Sequence, residues 1–580
     1  MKILLITPPL LQPNSPYAAT PLLTAWLRSQ GCEAVQADLS LELLLKLFSA
    51  DGLATLGFGK EHRAVIGDAI EFLQDKNPSL AKRFSKRGAL PEGQHLLRAW
   101  EQETQFGWNF RGLEKQARAR HLCSLFLDDI AEKIAEVDPH FGFSRYAERL
   151  AAHLPTFGKI RVALEEARSP VFRTLEKLTD EQIKKHNPQV VAITVPFPGC
   201  LFGALAIARR IKQTRPEIRI VLGGGYINTE LRELTDPSIF DLVDFICLDS
   251  GMLPLLRILH GSASARLVRT FVREEGVVRF YDCAEEPVAH DRLPPPVYDD
   301  LPMDRYFGLF EQLNPATRLW SDGRWNKLVL AHGCCWRRCA FCDTSIDYIG
   351  RYDPARAATL CDWMEQGLAA TGFNGFHFVD EALPPELLAP LCDEILRRGL
   401  VVEWWGNLRW EKRISKGLIE KMAAAGCIAV TGGLETCCDR TLRLMNKGIT
   451  VEGATRVLSD FAEAGVLTHA YLMYGFPTQT LDETFQALET VRRLMEDGLL
   501  HSAYWHRFAL TAHSEIARHP ERFAIQLLPE SPGGFARNEI PFDGGFDYDL
   551  DAVGAALRAA VYNYQHGLGF EVPVEEWLTR

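Results

Sequence analysis

No window of this 580-residue chain comes near the roughly 18 uninterrupted apolar residues of a membrane span. The start, Met1-Lys2-Ile3-Leu4-Leu5-Ile6-Thr7-Pro8-Pro9, lacks the longer apolar core and small-residue cleavage site of a secretory signal. A cytoplasmic protein is therefore expected. Positive charge is also short: 64 Lys and Arg against 75 Asp and Glu give a formal net charge of −11. That balance argues against a nucleic-acid partner, which would want a basic face. No internal repeat at a solenoid period is found. With 47% apolar and 24% charged residues, the composition excludes long disordered tracts. A chain of this length is too long for one hydrophobic core, so at least two domains are expected.

What is there begins with alternation of strand and helix signals. Lys2–Thr7 reads as a buried parallel strand ending in Pro-Pro, Leu22–Ser29 as a helix and Ala34–Ala37 as a second strand. The pattern resumes with strands at Val190–Val195, Ile218–Leu222 and Asp244–Leu248 and helices at Leu201–Gln213 and Leu253–Leu259. It predicts an α/β, Rossmann-like domain over 1–260, with a ligand crevice at the strand ends. Residues 41–185 carry helical spacing and almost no strand signal, and are read as a helical insertion able to cover that crevice, with no role legible in the sequence. A hairpin at Leu267–Val272 and Val277–Tyr281, then the stiff Pro294-Pro295-Pro296, mark 261–325 as a connector.

Six further strands are predicted at Lys327–Ala331, Gly375–Val379, Val401–Trp405, Ile428–Thr431, His469–Met473 and Ala503–Phe508. With helices between them they make a partial (β/α)6 barrel of the TIM type over 326–515, its site at the C-terminal strand ends. Residues 516–580 form a small C-terminal extension with a helix near Val553–Tyr564.

Fourteen cysteines in a cytoplasmic chain suggest metal or redox use rather than a disulfide framework. The informative group follows the first barrel strand: Gly333-Cys334-Cys335-Trp336-Arg337-Arg338-Cys339-Ala340-Phe341-Cys342. Three thiolates can hold three irons of a 4Fe–4S cluster and leave the fourth open. Cys335, Cys339 and Cys342 give C-x3-C-x2-C. Cys334, directly after a glycine, gives C-x4-C-x2-C; the spacing favours Cys335 as the first ligand, with Cys334 the alternative and otherwise a thiol beside the cluster. A structural zinc site would need a fourth protein ligand, from His332 or Asp343.

This loop and the strand pattern after it resemble the radical S-adenosylmethionine (SAM) superfamily, whose members commonly share the C-x3-C-x2-C spacing. The whole chain resembles the class with an N-terminal cobalamin-binding domain, over roughly 1–40, 185–260 and 327–510. The resemblance implies a 4Fe–4S cluster, SAM chelated at the open iron, and cobalamin. It assigns Asp380 and Glu381, in Phe378-Val379-Asp380-Glu381, to a loop binding the SAM amino group. Arg409 falls where a basic residue meets the SAM carboxylate, and Glu435, in Gly433-Leu434-Glu435, where a glutamate meets ribose or amino group. Gly475 and Pro477 belong to a turn near adenine. Read locally instead, Arg409 pairs with Glu403 or Glu411, and Asp380 caps the helix starting near Pro384. Thr194, Gly223 and Gly224 resemble strand-end segments that line the cobalamin tail; locally they are a plain Rossmann-like turn.

The chain departs from cobalamin modules in lacking Asp-x-His-x-x-Gly after its first strand. Asp138-Pro139-His140-Phe141-Gly142 is one residue short and lies in the insertion. The expected activity is cobalamin-dependent methylation of an unactivated carbon, with a reducing electron donor and a small-molecule or peptide substrate. The alternatives are radical SAM oxidation or cyclisation without cobalamin methyl transfer, and a non-catalytic metal-binding scaffold. Trp404, Trp405, Tyr474, Trp505 and His506 are candidate pocket aromatics, though barrel packing explains them equally.

Overall fold

The apolar run at the N-terminus forms β1 (Lys2–Thr7), buried at every position but its first. It pairs in parallel with β2 (Glu33–Asp38) on one side and β3 (Val190–Thr194) on the other. β4 (Arg219–Gly223) and β5 (Phe245–Cys247) continue the parallel sheet. The computed structural model describes residues 1–106, 113–152, 154–530 and 533–579.

The predicted hairpin is present as β6 (Thr270–Glu274) and β7 (Val277–Tyr281), but it is not part of a connector. β6 pairs antiparallel with β5, so the hairpin extends the first sheet to seven strands, ordered β2-β1-β3-β4-β5-β6-β7. The reason is local: Thr270, Phe271 and Val272 are buried against the sheet, and a short polar turn returns the chain along its edge.

Among described residues the insertion is almost wholly helical, including Lys115–Val137 and Pro170–His186. Its only strands among those described residues are the two-residue pair Phe141–Gly142 and Arg145–Tyr146. Its apolar faces share one core with the helix Pro198–Thr214 of the first domain. Among its described residues only Ser144, in the turn of that small hairpin, lines the crevice, so the described part of the insertion buttresses the domain rather than covering its ligand face.

The second sheet holds six parallel strands in chain order: β8 (Asn326–Leu328), β9 (Gly375–Leu383), β10 (Glu403–Leu408), β11 (Cys427–Glu435), β12 (Leu467–Tyr474) and β13 (Ser502–Arg507). β8 and β13 are not paired, so the barrel is partial. β9, β10 and β11 run three to four residues past their predicted ends. The motifs expected in loops at 378–381, 407–409 and 433–435 therefore lie largely within strands. Register shifts in β9, between Phe378 and Leu383, and in β11, between Gly433 and Glu435, let these polar stretches stay in the sheet.

The last helix, Leu550–Tyr564, packs on the final barrel strands. The extension before it clasps both halves of the molecule. Phe535 and Ala536 N–H donate to the Pro155 and Leu154 carbonyls, and Thr235 N–H donates to Gly534. No helix of the described residues is long and apolar enough to cross a membrane.

Candidate active site between the two domains

The C-terminal strand ends of the two sheets meet across one cavity of about 860 Å³. The first domain contributes Thr194, Gly223, Gly224 and the Asp249–Met252 loop; the barrel contributes Lys327, His377, Val379, Glu381, Asn407 and Tyr471. His377, Val379 and Glu381 alternate along β9 and so share the face turned inward.

Gly224 cannot be replaced without strain. Its φ is +112°, and a Cβ there would stand 2.7 Å from the Val195 backbone. Gly223 differs: a Cβ would meet nothing closer than 3.7 Å, so its bareness keeps space in the cavity rather than in the packing.

The cysteine loop sits at the barrel mouth. Cys339 is buried; Cys334, Cys335 and Cys342 are half-buried, and all four are free thiols. The thiols act on one another in two pairs, Cys334 with Cys335 and Cys339 with Cys342. Cys335 holds Cys334 down to about 5, and its own pKa rises. Cys342 likewise draws Cys339 down to about 7, aided by Lys447 and Arg409, and rises in turn. The loop is thus poised to carry thiolates, the form that binds metal. Ligands of one zinc stand under about 4 Å apart. Among described residues, no three Cys, His, Asp or Glu ligand atoms around this loop come within 4.8 Å of one another.

Beside the loop lies a buried charged network. Arg409 donates to the Lys447 carbonyl, and the Lys447 ammonium pairs with Glu435. Burial alone would lower Lys447, yet Glu435 and Cys339 carry it above its ordinary value. The Arg409 guanidinium lies 4.2 Å from the Trp336 ring centroid, a cation–π contact. Trp336 fits because residue 448 is glycine: a Cβ there would stand 2.3 Å from the indole. Among described residues Arg409 makes no ion pair with Glu403 or Glu411, and Glu411 pairs with Arg413 instead. Its buried Nε has no hydrogen-bond partner, leaving an unused donor beside the cysteines.

Other expected residues are placed differently. Asp380 is buried and accepts from Leu330 N–H at 2.9 and 3.0 Å and from Ala331 N–H at 2.7 Å. It is neither free for a ligand nor the cap of the helix beginning at Pro385. Burial pushes its carboxyl up to about 7. Glu381, its neighbour, faces the cavity. Its side chain is open to that space, while surrounding protein, and secondarily Cys334, raises its pKa. Gly475 and Pro477 lie in a turn packed beneath the C-terminal extension. A Cβ on Gly475 would stand 2.9 Å from Leu550, and Tyr548 donates to the Gln479 carbonyl.

Asp138 accepts from Tyr146 and Ser169, and exposed His140 does not line the cavity. The near-miss motif is thus a structural turn. Trp404, Trp505 and Tyr474 are buried packing, and Trp405 stacks on His377 at 3.5 Å. Lys327, Lys447, Gly448 and Trp336 were not anticipated; a single Lys-Gly or Trp carries no spacing signal that could have found them.

Residues 329–491 match the Radical SAM superfamily. The chain carries a radical SAM domain. An uncharacterized methyltransferase of Pyrococcus horikoshii is 23% identical over 323 residues, covering 54% of this chain and 66% of that protein. The match thus spans just under two thirds of the relative's length. Among solved structures, the radical SAM methyltransferase TsrM from Kitasatospora setae, with cobalamin and a [4Fe-4S] cluster bound, aligns with a TM-score of 0.54 at 14% identity. That alignment covers 97% of this chain and 91% of TsrM. The cobalamin-dependent radical enzyme OxsB, with aqua-cobalamin and SAM bound, aligns with a TM-score of 0.58 at 12% identity, over 96% of this chain and 66% of OxsB. At these identities the likeness is one of fold: a Rossmann-like domain joined to a radical SAM barrel.

Proposed function

We propose that this protein is a cobalamin-dependent radical SAM methyltransferase acting on an unactivated carbon of a small-molecule or peptide substrate. One observation carries the reading: the radical SAM domain opens onto a large cavity whose opposite wall is the strand-end face of a Rossmann-like domain. TsrM and OxsB, which share this two-domain frame, both hold cobalamin.

The residues present fit the implied groups. The cluster ligands are Cys339, Cys342 and one of the adjacent pair Cys334 and Cys335. Cys334 is favoured, because Cys335 lines two open clefts on the outer surface while the charge of Cys334 is felt by Glu381 in the cavity. Arg409, with its unused Nε, offers a donor for the SAM carboxylate. Glu381 and Glu435 are the carboxylates for its amino group and ribose, and the turn at Gly475 and Pro477 is the adenine side. Thr194, Gly223 and Gly224 leave bare backbone for the cobalamin tail.

When bound, the cluster supplies the electron that breaks a carbon–sulfur bond of SAM to start hydrogen abstraction, and cobalamin carries the methyl group. The chain's own residues position and enclose. Asp380 holds the backbone entering the cysteine loop, the Arg409–Trp336 contact fixes the cationic side, and the extension seals the turn after β12. We place the protein in the cytoplasm, where free thiols persist and a reducing electron donor is at hand.

A second reading, radical SAM oxidation or ring closure without methyl transfer, is supported by the missing Asp-x-His-x-x-Gly segment. Anaerobic reconstitution with iron and sulfide, followed by optical and EPR spectra with and without SAM and hydroxocobalamin, tests both. A cluster signal that shifts with SAM plus a retained corrinoid band supports methyl transfer. A SAM-responsive cluster without corrinoid supports the second reading, and no cluster overturns both.

A further inference from the structure

We propose that Lys327 anchors a carboxylate of the substrate at the barrel end of the interdomain cavity. The inference rests on that cavity being the reaction chamber. Lys327 stands on β8 opposite His377 of β9, and its side chain lines the cavity. Among described residues it has no salt bridge and no side-chain hydrogen bond, and it is not near enough to Asp38 to pair with it. Asp38 instead accepts from Leu41 N–H and the Tyr306 hydroxyl.

The other charged groups on the wall are committed. Arg351 pairs with Asp347 and Asp353, and Asp249 with Arg232 and Arg269. His377 lies flat on Trp405, and burial, with Lys327 close by, lowers its pKa well below the ordinary value, so the ring is neutral. Among the described residues, two charged side chains on this wall remain without a partner, Glu381 and Lys327. The SAM amino group accounts for Glu381 in the function proposed above; nothing there accounts for Lys327.

An ammonium facing an enclosed, largely apolar space is costly unless an anion meets it. Burial already draws Lys327 down to about 8, and a bound carboxylate would reverse that shift. Trp320, Trp325 and Tyr471 line the same cavity, so the body attached to that carboxylate meets aromatic faces.

The test uses protein reconstituted with iron, sulfide and hydroxocobalamin, as wild type, Lys327→Met and Lys327→Arg. Each is titrated calorimetrically with 3-phenylpropionate, its neutral amide, and SAM. Wild type and Lys327→Arg are expected to prefer the acid over the amide by about tenfold or more, the size of a charge-assisted hydrogen bond. Lys327→Met loses that preference with SAM affinity, cluster and corrinoid content unchanged. Equal affinity for acid and amide in wild type, binding of neither, or a preference surviving in Lys327→Met overturns the assignment. A fall in SAM affinity with the probe preference intact also overturns it, giving Lys327 to SAM instead. Wild type that takes up no cluster or corrinoid fails at an earlier step and overturns the proposed function itself.

Discussion

The Asp380 carboxylate accepts the backbone N–H of Ala331 at 2.7 Å, across 49 residues of chain, and does the work of a strand partner. β8 stops pairing with β9 after Leu328, where β9 shifts register. The N–H groups of Leu330 and Ala331 would be orphaned there, three residues before the first cysteine, and Asp380 takes both. Asp380→Ala leaves two buried donors unsatisfied, at a cost of about 2–4 kcal/mol. The expected result is a lower melting temperature, faster amide exchange at Leu330 and Ala331, and less iron retained after reconstitution. Unchanged exchange at those two amides would refute the clamp.

Arg409 and Trp336 make the next case. With its Nε unpaired and its charge buried, Arg409 has a place for one more acceptor. Arg409→Met is expected to weaken SAM binding about tenfold to a hundredfold, the range for losing a charge-assisted contact in a buried site. Cluster iron content should stay near wild type. Equal loss of SAM affinity and iron would mean that Arg409 supports the loop rather than the ligand. Gly448→Ala displaces the indole and should give a milder version of the same SAM defect.

These two residues also show how far sequence reasoning reaches. The cysteine loop, the parallel strands and the cavity residues Thr194, Gly223, Gly224 and Glu381 are legible because apolar runs and short-range spacing carry them. Asp380 was expected at a ligand and serves the backbone. Its role depends on a register shift, which leaves no mark in the order of residues. Lys447 reaches Glu435 only because a helix and a loop fold back between them, and the dipeptide Lys-Gly announces nothing. The hairpin at 270–281 reads correctly as a hairpin, but docking on a sheet edge is a tertiary fact that alternation does not encode.

The adjacent cysteines separate by substitution. Cys339→Ala and Cys342→Ala should each abolish the cluster's optical and EPR signal. Of the neighbouring pair, Cys334→Ala is expected to do the same, while Cys335→Ala keeps a SAM-responsive cluster. The reverse outcome would assign the first ligand to Cys335 and the C-x3-C-x2-C spacing.

Gly223 and Gly224 offer a paired test of the cobalamin wall. Gly223→Leu has room at its Cβ and projects its side chain into the cavity. It should fold and hold the cluster normally yet retain corrinoid at least about tenfold less well. Gly224→Ala, strained at φ +112°, should lose stability together with corrinoid. Full corrinoid retention by a folded Gly223→Leu protein would remove this wall from the cofactor site.

The insertion carries a pH-dependent liability of its own. Asp128, on the helix Lys115–Val137, has its carboxyl pushed up to about 8, first by burial and then by Glu311, Asp129 and Glu132. The unfolded chain releases this proton near pH 4 and the folded one near pH 8. Between those values the folded state binds more protons, so stability falls as pH rises across the window. Asp128→Asn removes the charge and with it the slope. Its melting temperature should exceed that of wild type by a margin that grows from pH 5 to pH 8 and then levels off. The plateau corresponds to about 1–3 kcal/mol, a buried and uncompensated carboxylate discounted for its residual contact with water. A margin that shrinks with rising pH would show instead that the Asp128 carboxylate has a stabilising partner when ionised.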